Sequence, residues 1–187
     1  KQGRAVTPYH QTVSDNIAEQ IISELEVKAD YVGRRKEVIA FNNSNKFFKK
    51  GIALTPVKFG ISFTATWYNQ AGCLLHIYTD GSIYLNHGGT EMGQGLHTKM
   101  VSIVAEEFGI PITKVKVSAT DTSKVPNTSA TAASSGSDLN GMAVLNASKT
   151  LKTRLAKVIA DFYETDNKTI QFRNGYAVFK GGKIRFE

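Results

Sequence analysis

The segment CLLHIYTDGSIYLNHGGTEMGQGLHTKM, residues 73–100, decides the fold. Its Asp80-Gly81 pair lies between two runs of β-forming residues, and this pattern predicts a β-hairpin. The glycine loop, defined as residues 88–95, follows the second run and leads into apolar positions at helical spacing. We therefore expect a hairpin, a tight turn and a helix that ends at Gly109, since glycine is typical of helix C-termini.

Short strands and one long helix are predicted downstream of this segment. Residues 115–118 have the composition of a strand, and residues 169–187 that of short strands separated by turn-forming glycines. Between them, a helical pattern keeps one apolar face: Leu151, Leu155, Val158, Ile159 and Phe162. This order of elements predicts an α+β fold in which helices pack on a mixed β-sheet.

The N-terminal part of the chain has a different pattern. Thr12 lies three residues before an acidic residue, as in a capping box, which predicts a first helix, and residues 29–41 predict a second. Apolar and polar residues alternate over residues 51–67, which favours a strand. We therefore divide the chain into a helical segment with its connection, residues 1–58, and an α+β part, residues 59–187.

Composition excludes several classes of protein. The chain has 187 residues, a formal net charge of +7 and 41% hydrophobic residues, which is enough apolar surface for a core and excludes wholesale disorder. The single cysteine, Cys73, excludes an intrachain disulfide, so we expect a reducing compartment such as the cytoplasm. No apolar run reaches the length of a membrane span, and we expect no membrane association.

Part of the positive charge is concentrated in the basic segment, residues 34–50. It contains six basic residues, one acidic residue and three phenylalanines. Basic residues interleaved with aromatic rings are typical of nucleic-acid grooves. A solvated helix face with its aromatic rings in the core, or a surface for an acidic partner, gives the same pattern. Because no known nucleic-acid-binding motif accompanies the segment, we disfavour nucleic acid as a partner.

Two loops are candidates for ligand binding. The glycine loop has four glycines in eight residues, which would let its backbone approach a ligand, and the N–H groups of the following helical turn are expected to be free for an anion. It matches neither the dinucleotide pattern nor a P-loop, so a nucleotide-phosphate site and a structural turn both stay open. The second candidate is residues 121–138, a polar segment of small residues typical of a binding loop or of a flexible linker.

The residues alone supply no complete catalytic set. Glu91 is the only carboxylate of the glycine loop, and Ser134 has no nucleophile-elbow pattern around it. The four histidines are scattered along the chain and predict no metal site. The sequence therefore predicts a binding surface rather than a catalytic centre.

Both loops resemble segments of one enzyme family, the molybdenum hydroxylases, which include xanthine dehydrogenases and aldehyde oxidases. The resemblance is to their molybdenum-cofactor domain, and it is carried by FGISFTATWYNQAGCLLHIYTDGSIYLNHGGTEMGQG at residues 59–95, by LHTKM directly after it and by VPNTSATAASSGSDLNG at residues 125–141. Within the family the chain is most similar to the large subunit of a bacterial xanthine dehydrogenase. The resemblance implies that the chain is an internal fragment of a longer subunit.

The resemblance also implies which residues hold the cofactor, molybdopterin. The residues that it assigns to the cofactor are Met92, Gly93, Gln94, Thr131, Ala132, Ala133 and Ser134. Gln94 is expected to hydrogen-bond to the pterin, and Ala133 to lie beside the molybdenum without being a side-chain ligand. Gly136 departs from the family, which often has a second cofactor-facing serine there, and Ser135 or Ser137 is expected to supply the missing hydroxyl.

The whole enzyme's reaction follows from the same resemblance. The family hydroxylates hypoxanthine or xanthine to urate with oxygen from water, and Phe63 and Thr64 are expected to contact the purine. Electrons pass through 2Fe-2S clusters and FAD to NAD, which are expected to bind outside this chain, in part on an iron–sulfur/FAD partner subunit. The family's catalytic glutamate lies in a Gly-Glu-Pro-Pro motif that is absent here, so we expect no catalytic residue and no activity from this chain alone. An aldehyde oxidase-like hydroxylase, or a basic nucleic-acid- or nucleotide-binding module, is the alternative.

Overall fold

The structure is a computed structural model that describes residues 5–7, 10–57, 59–61, 63–124 and 127–187. The chain divides into two units, residues 1–60 and 61–187. The assignment of separate roles to residues 1–58 and 59–187 stays a prediction.

The first unit contains two helices, α1 (Ala18–Lys28) and α2 (Tyr31–Ser44). The predicted capping role of Thr12 was wrong, because α1 begins only at Ala18 and Thr12 pairs with Val6 in an isolated β-bridge. No residue of either helix is buried, so neither helix places an apolar face in a core of this unit.

One further expectation from the sequence was wrong, and one of the alternatives for the basic segment does not fit the structure. Over residues 51–67 the described positions form no strand, and the only regular element there is a 3-10 turn, Thr66–Tyr68. An alternating pattern gives a strand only when another strand pairs with its backbone, and none of the described strands pairs with this segment. In the basic segment, Phe47 and Phe48 are 82% and 74% exposed, so these rings do not lie in a core.

A mixed three-stranded sheet organises the second unit. Strands β1 (Cys73–Ile77) and β2 (Ile83–His87) form the predicted antiparallel hairpin. Its turn includes Gly81, whose φ of +72° glycine adopts without strain. Strand β3 (Val115–Val117) runs parallel to β2, so the sheet is mixed and the predicted α+β class is confirmed.

Two helices, α3 (Leu96–Phe108) and α4 (Gly136–Tyr163), pack against each other and against this sheet. The large apolar side chains that they bury almost completely are Ile83, Leu85, Leu96, Met100, Val104, Phe108 and Val144. The predicted end of α3 at Gly109 is confirmed. Gly109 has a φ of +62°, and a Cβ there would lie 2.4 Å from the Cα of Arg173, so a larger residue would displace the neighbouring strand.

A second sheet ends the chain, with β4 (Gln171–Arg173), β5 (Tyr176–Phe179) and β6 (Gly182–Arg185) in antiparallel order. The last part of α4 packs on it through a small core: Ala156, Ile159, Ala160, Ile170, Phe172 and Ala177. Val158 and Phe162 are 66% and 78% exposed, so the expectation that they share the buried face was wrong. The face that α4 buries against this small sheet is narrower than its run of apolar residues.

Candidate functional site

A pocket of about 450 Å³ lies between the glycine loop and the alanine–serine loop, defined as residues 127–135. Its lining residues are Met92, Gln94, Leu96, Lys99, Thr131, Ala132, Ala133, Ser134, Gly136 and Ser137. Six of the seven residues that the resemblance assigns to the cofactor therefore line one pocket. The seventh, Gly93, belongs to the glycine loop but not to the pocket wall.

Glu91 holds the glycine loop in shape from within. Its Oε1 accepts hydrogen bonds from the backbone N–H groups of Gly93 and Gly95 at 2.9 and 3.0 Å, and its Oε2 accepts one from His97 at 2.9 Å. Gly93 and Gly95 have φ values of +94° and +74°, which only glycine adopts readily. These donors, the His97 N–H above all, hold the pKa of the Glu91 carboxyl below its usual range. Of the N–H groups that were expected to be free in the first turn of α3, that of His97 is therefore already bonded to Glu91.

The side chain of Gln94 is anchored in the same loop. Its Oε1 accepts a hydrogen bond from the Met92 N–H at 2.5 Å, and its Nε2 donates to the Thr90 carbonyl at 2.8 Å. A carboxamide has two N–H groups and two lone pairs on oxygen. Gln94 therefore keeps one donor and one acceptor for a ligand in the pocket while its side chain stays anchored.

A buried histidine supports the base of the glycine loop. His87 is 2% exposed, and its Nδ1 accepts a hydrogen bond from the Gly89 N–H at 3.1 Å. The His97 ring meets it edge-to-face, with 5.1 Å between ring centroids. Burial lowers the pKa of His87 to about 4, and the charge of His97 acts in the same direction. His87 is therefore neutral at neutral pH and carries its proton on Nε2.

The alanine–serine loop is held by residues outside it. The Ser129 N–H donates to the Gln70 carbonyl at 2.9 Å, and the Ser129 hydroxyl accepts from the Gln70 N–H at 2.9 Å and donates to the Tyr68 carbonyl. Farther along, Thr131 Oγ1 accepts a hydrogen bond from the Thr90 N–H at 2.9 Å, which joins the two loops directly.

Two consecutive residues of this loop have unfavourable backbone conformations. Ala133 and Ser134 have φ values of +53° and +54°, in the left-handed region. That region costs a residue with a side chain roughly 1–2 kcal/mol. Such strain persists only where the surrounding structure imposes it, and it is concentrated at functional sites. Here it lies in the wall of the pocket.

The start of α4 forms the far side of the pocket. Ser135 does not cap the helix, because its hydroxyl donates to a carbonyl of its own loop at 3.0 Å, and among the residues that the structure describes no side chain caps the first N–H groups of α4. Lys99 places its Nζ 3.3 Å from Ser137 Oγ and adds a positive charge beside this helix start. A Cβ at Gly136 would lie 3.2 Å from Thr131 Cγ2, so a serine there would require a small shift of Thr131.

The residues predicted to contact the substrate lie outside this pocket. Phe63 is 47% exposed, and its ring centroid lies 6.4 Å from that of Tyr68. Thr64 is exposed as well, and neither residue lines the pocket. Tyr68 connects their segment to the alanine–serine loop through the hydroxyl of Ser129. Their substrate role stays a prediction.

Sequence reasoning missed two pocket residues, Leu96 and Lys99. Lys99 follows Gly95, the N-cap of α3, by one helical turn, and its N–H donates to the Gly95 carbonyl at 3.1 Å. The helical spacing of residues 96–104 could therefore have predicted that Lys99 lies near the glycine loop.

Across the described part of the chain, no three His, Cys, Asp or Glu side chains come together as a metal site.

Comparison with known proteins identifies the family. A family model described as a molybdopterin cofactor-binding domain matches residues 24–187, which include both loops of the pocket. The chain belongs to this family. The resemblance to the molybdenum hydroxylases is thereby confirmed.

This molybdopterin cofactor-binding domain is similar to segments of xanthine dehydrogenases. It is 51% identical over 153 residues to the xanthine dehydrogenase of Dictyostelium discoideum and 47% identical over 153 residues to the xanthine dehydrogenase/oxidase of Gallus gallus. Each alignment covers 82% of this chain and 11% of the relative, so the chain spans about a tenth of the length of these relatives. The chain is part of the cofactor-binding domain of a xanthine dehydrogenase-like molybdenum hydroxylase.

Solved structures show the same fold for the molybdopterin cofactor-binding domain. Quinoline 2-oxidoreductase from Pseudomonas putida 86 matches with a TM-score of 0.77 at 17% identity, covering 97% of this chain and 24% of that chain. CO dehydrogenase from Oligotropha carboxidovorans matches with a TM-score of 0.58 at 21% identity, covering 63% of this chain and 15% of that chain. At these identities the likeness shows the fold alone.

Within the residues described, no helix combines the length and hydropathy that crossing a membrane requires.

Proposed function

We propose that this chain forms one wall of the molybdopterin site in an enzyme that hydroxylates purines. The observation that carries the proposal is the shared pocket, because two segments assigned to the cofactor from separate sequence motifs line one cavity of about 450 Å³. That volume lies in the range of small-molecule sites, roughly 300–1,000 Å³. A purely structural strand-to-helix turn gives no reason for the strained backbone of Ala133 and Ser134 beside it.

The chemistry of the pocket suits a flat, polar, phosphorylated ring system. Ala133 and Gly136 have little or no side chain, so a ring can lie close to their backbone. The hydroxyl groups of Thr131 and Ser134 offer donors and acceptors at the same wall. Lys99 supplies a positive charge for a phosphate, beside the uncapped start of α4. These groups together match the functional groups of molybdopterin.

Gln94 and Ser137 complete the polar contacts that we assign to the cofactor. Gln94 has one free N–H and one free lone pair after anchoring itself to Met92 and Thr90. Ser137 lines the pocket, whereas the Ser135 hydroxyl is already bonded within its own loop. Ser137 is therefore the residue that replaces the family's serine at Gly136.

In the whole enzyme, the bound cofactor would supply the redox chemistry that hydroxylates a purine carbon with oxygen from water. Residues of this chain bind and orient: Gln94 holds the pterin, Phe63 packs on the purine and Thr64 hydrogen-bonds to it. Electrons then leave through 2Fe-2S clusters and FAD to NAD, on parts of the enzyme outside this chain. The chain has no counterpart of the family's catalytic glutamate, so alone it should not oxidise xanthine.

A chimera tests this proposal. In the Dictyostelium xanthine dehydrogenase, the segment that matches over 153 residues is replaced by the corresponding segment of this chain. We expect the chimera to retain molybdenum and to oxidise xanthine. In the chimera, Gln94→Ala should lower molybdenum content or turnover by about tenfold, because unpaired buried polar atoms cost ~1–3 kcal/mol. Elemental analysis per polypeptide and steady-state kinetics measure the two quantities.

Ser102→Ala is the matched control in this experiment. Ser102 lies on α3, the helix that follows the glycine loop, and its hydroxyl donates to the Thr98 carbonyl at 2.9 Å, away from the pocket lining. This variant should keep the molybdenum content and turnover of the chimera. If Gln94→Ala does the same, the pocket does not hold the cofactor and the proposal fails.

A further inference from the structure

We propose that Glu91 is a positioning residue, an internal anion that fixes the glycine loop so that Met92 and Gln94 line the pocket. The effect of Glu91 on the loop is inferred from its hydrogen bonds alone. The consequence of this effect for cofactor binding rests on the function proposed above. Glu91 does not line the pocket, so it acts through its neighbours and not by contact with a ligand.

One carboxylate satisfies three backbone N–H groups of the loop and of the helix start. Glu91 accepts N–H donors from Gly93, Gly95 and His97, and both of its oxygens are used. The N–H groups at a helix start have no partner within the helix and normally bind water or a ligand. Here the carboxylate takes that place for the His97 N–H, and it also binds the two glycine N–H groups just before the helix, so the loop has its shape before any ligand binds.

Two of these donors lie directly beside Gln94 in the sequence. Gly93 and Gly95 flank Gln94 on both sides, and both donate to Glu91. Their positive φ values bring two alternate N–H groups toward the same carboxylate. The backbone on either side of Gln94 is thereby fixed, and its side chain stays bonded to Met92 and Thr90. Without Glu91, the Gly-Gln-Gly backbone would lose the contacts that fix it.

Neutralising Glu91 provides a specific chemical test. A glutamine at this position has nearly the same size but presents one oxygen and one NH₂ group. One side of it would then bring a donor against a backbone donor, either at His97 or at the two glycines. Glu91→Gln should therefore loosen the loop although it removes almost no volume.

The test uses NMR spectroscopy of the cofactor-free 187-residue chain. The titratable groups that face Glu91 are His97 on α3 and His87 at the end of β2, and their ring signals are followed separately. We expect the side-chain carboxyl signal of Glu91 and the amide signals of Gly93, Gly95 and His97 to titrate with one shared midpoint. A packing role alone would not couple these four signals to a carboxyl titration.

Amide exchange near neutral pH supplies the second measurement. In Glu91→Gln, exchange should become faster by about tenfold or more at the amides that face the new NH₂ group, either His97 or the two glycines, because these lose their acceptor. Glu106→Gln, at an exposed glutamate of the following helix α3, is the matched control and should leave these rates unchanged. Unchanged rates in Glu91→Gln, or amide midpoints that differ from the carboxyl midpoint, would overturn the inference. If Glu91→Gln fails to fold, the wild-type titration still decides it.

The consequence for cofactor binding is measured as the molybdenum content of the chimera described above. Loss of molybdenum in both Glu91→Gln and Gln94→Ala supports the positioning role. Full molybdenum in Glu91→Gln beside its loss in Gln94→Ala overturns the positioning role and leaves the proposed function intact. Full molybdenum and full turnover in both variants overturn the proposed function, and the ordering of the loop by Glu91 is then decided by the amide measurements.

Discussion

The two loops of the pocket keep their shapes in opposite ways. The glycine loop has its positive φ values at glycines and bonds its own backbone through Glu91 and Gln94. The alanine–serine loop has positive φ values at Ala133 and Ser134, and it depends on Ser129 for bonds to a neighbouring segment. In the glycine loop, the residue types themselves favour the backbone conformation. In the alanine–serine loop, neighbouring residues hold an unfavourable backbone conformation. Changes within or beneath the glycine loop should therefore destabilise the chain, while the alanine–serine loop should gain from some substitutions.

The largest expected effect concerns His87, beneath the glycine loop. Burial lowers its pKa from 6.5 to about 4, so the folded chain binds this proton less readily than the unfolded chain. The stability that depends on neutral His87 is fully present above pH 6.5 and is lost as the pH falls toward 4. We expect about 2–3 kcal/mol of unfolding free energy to be lost through this residue, measured by urea unfolding across that range.

Two variants separate His87 from the carboxylates that also titrate in acid. His87→Asn keeps an acceptor for the Gly89 N–H but cannot take up a proton, so its stability should fall less steeply with pH. His76→Asn, at an exposed position of β1, should keep the wild-type pH dependence. An equally steep fall in His87→Asn and in the wild type would show that the base of the glycine loop is not sensitive to this protonation.

The parts of the fold that could be predicted from the sequence are those fixed by local residue types. The hairpin turn at Gly81 and the end of α3 at Gly109 depend on φ values that glycine favours, and both were predicted correctly. The strand predicted within residues 51–67 failed because pairing depends on a partner elsewhere in the chain. The prediction that Phe162 lies on the buried face of α4 failed for a similar reason, because other segments set how far the sheet beneath α4 extends.

For the site, the sequence motifs predicted most of the pocket residues but not the interactions that position them. Family resemblance assigned Gln94 and Ala133 to one cofactor, and the structure places both at one pocket. The role of Glu91 could not be predicted, because its donors converge only after two glycines adopt positive φ values. The contact between His87 and His97 was missed because the whole glycine loop separates them in sequence and folds back between them.

An intermediate effect is expected from adding one methyl group to each side of the pocket. At Gly89 a Cβ would lie 2.6 Å from Leu96 Cδ2 and 2.8 Å from Asn140 Nδ2, so Gly89→Ala forces buried neighbours apart. We expect Gly89→Ala to lower the unfolding free energy by about 1–3 kcal/mol. At Gly136 the closest atom would be Thr131 Cγ2 at 3.2 Å, and alanine favours the helix that begins there.

Gly136→Ala should therefore change the unfolding free energy by less than about 0.5 kcal/mol. Urea unfolding of both variants beside the wild type measures the difference between them. Equal losses in the two variants would contradict the contrast between a closely packed glycine loop and a more tolerant alanine–serine side.

The smallest expected effect has the opposite sign and concerns Ala133. Its φ of +53° costs a residue with a Cβ roughly 1–2 kcal/mol, and Ala133→Gly removes that cost. Glycine also loses more conformational freedom on folding, by about 0.5–1 kcal/mol. The net expectation is a gain of about 0.5 kcal/mol in unfolding free energy. Ala132→Gly, one residue earlier and outside the positive-φ positions, should lose about 0.5–1 kcal/mol. If both glycine variants destabilise the chain equally, the backbone at Ala133 is not strained, and the loop's conformation needs no external support.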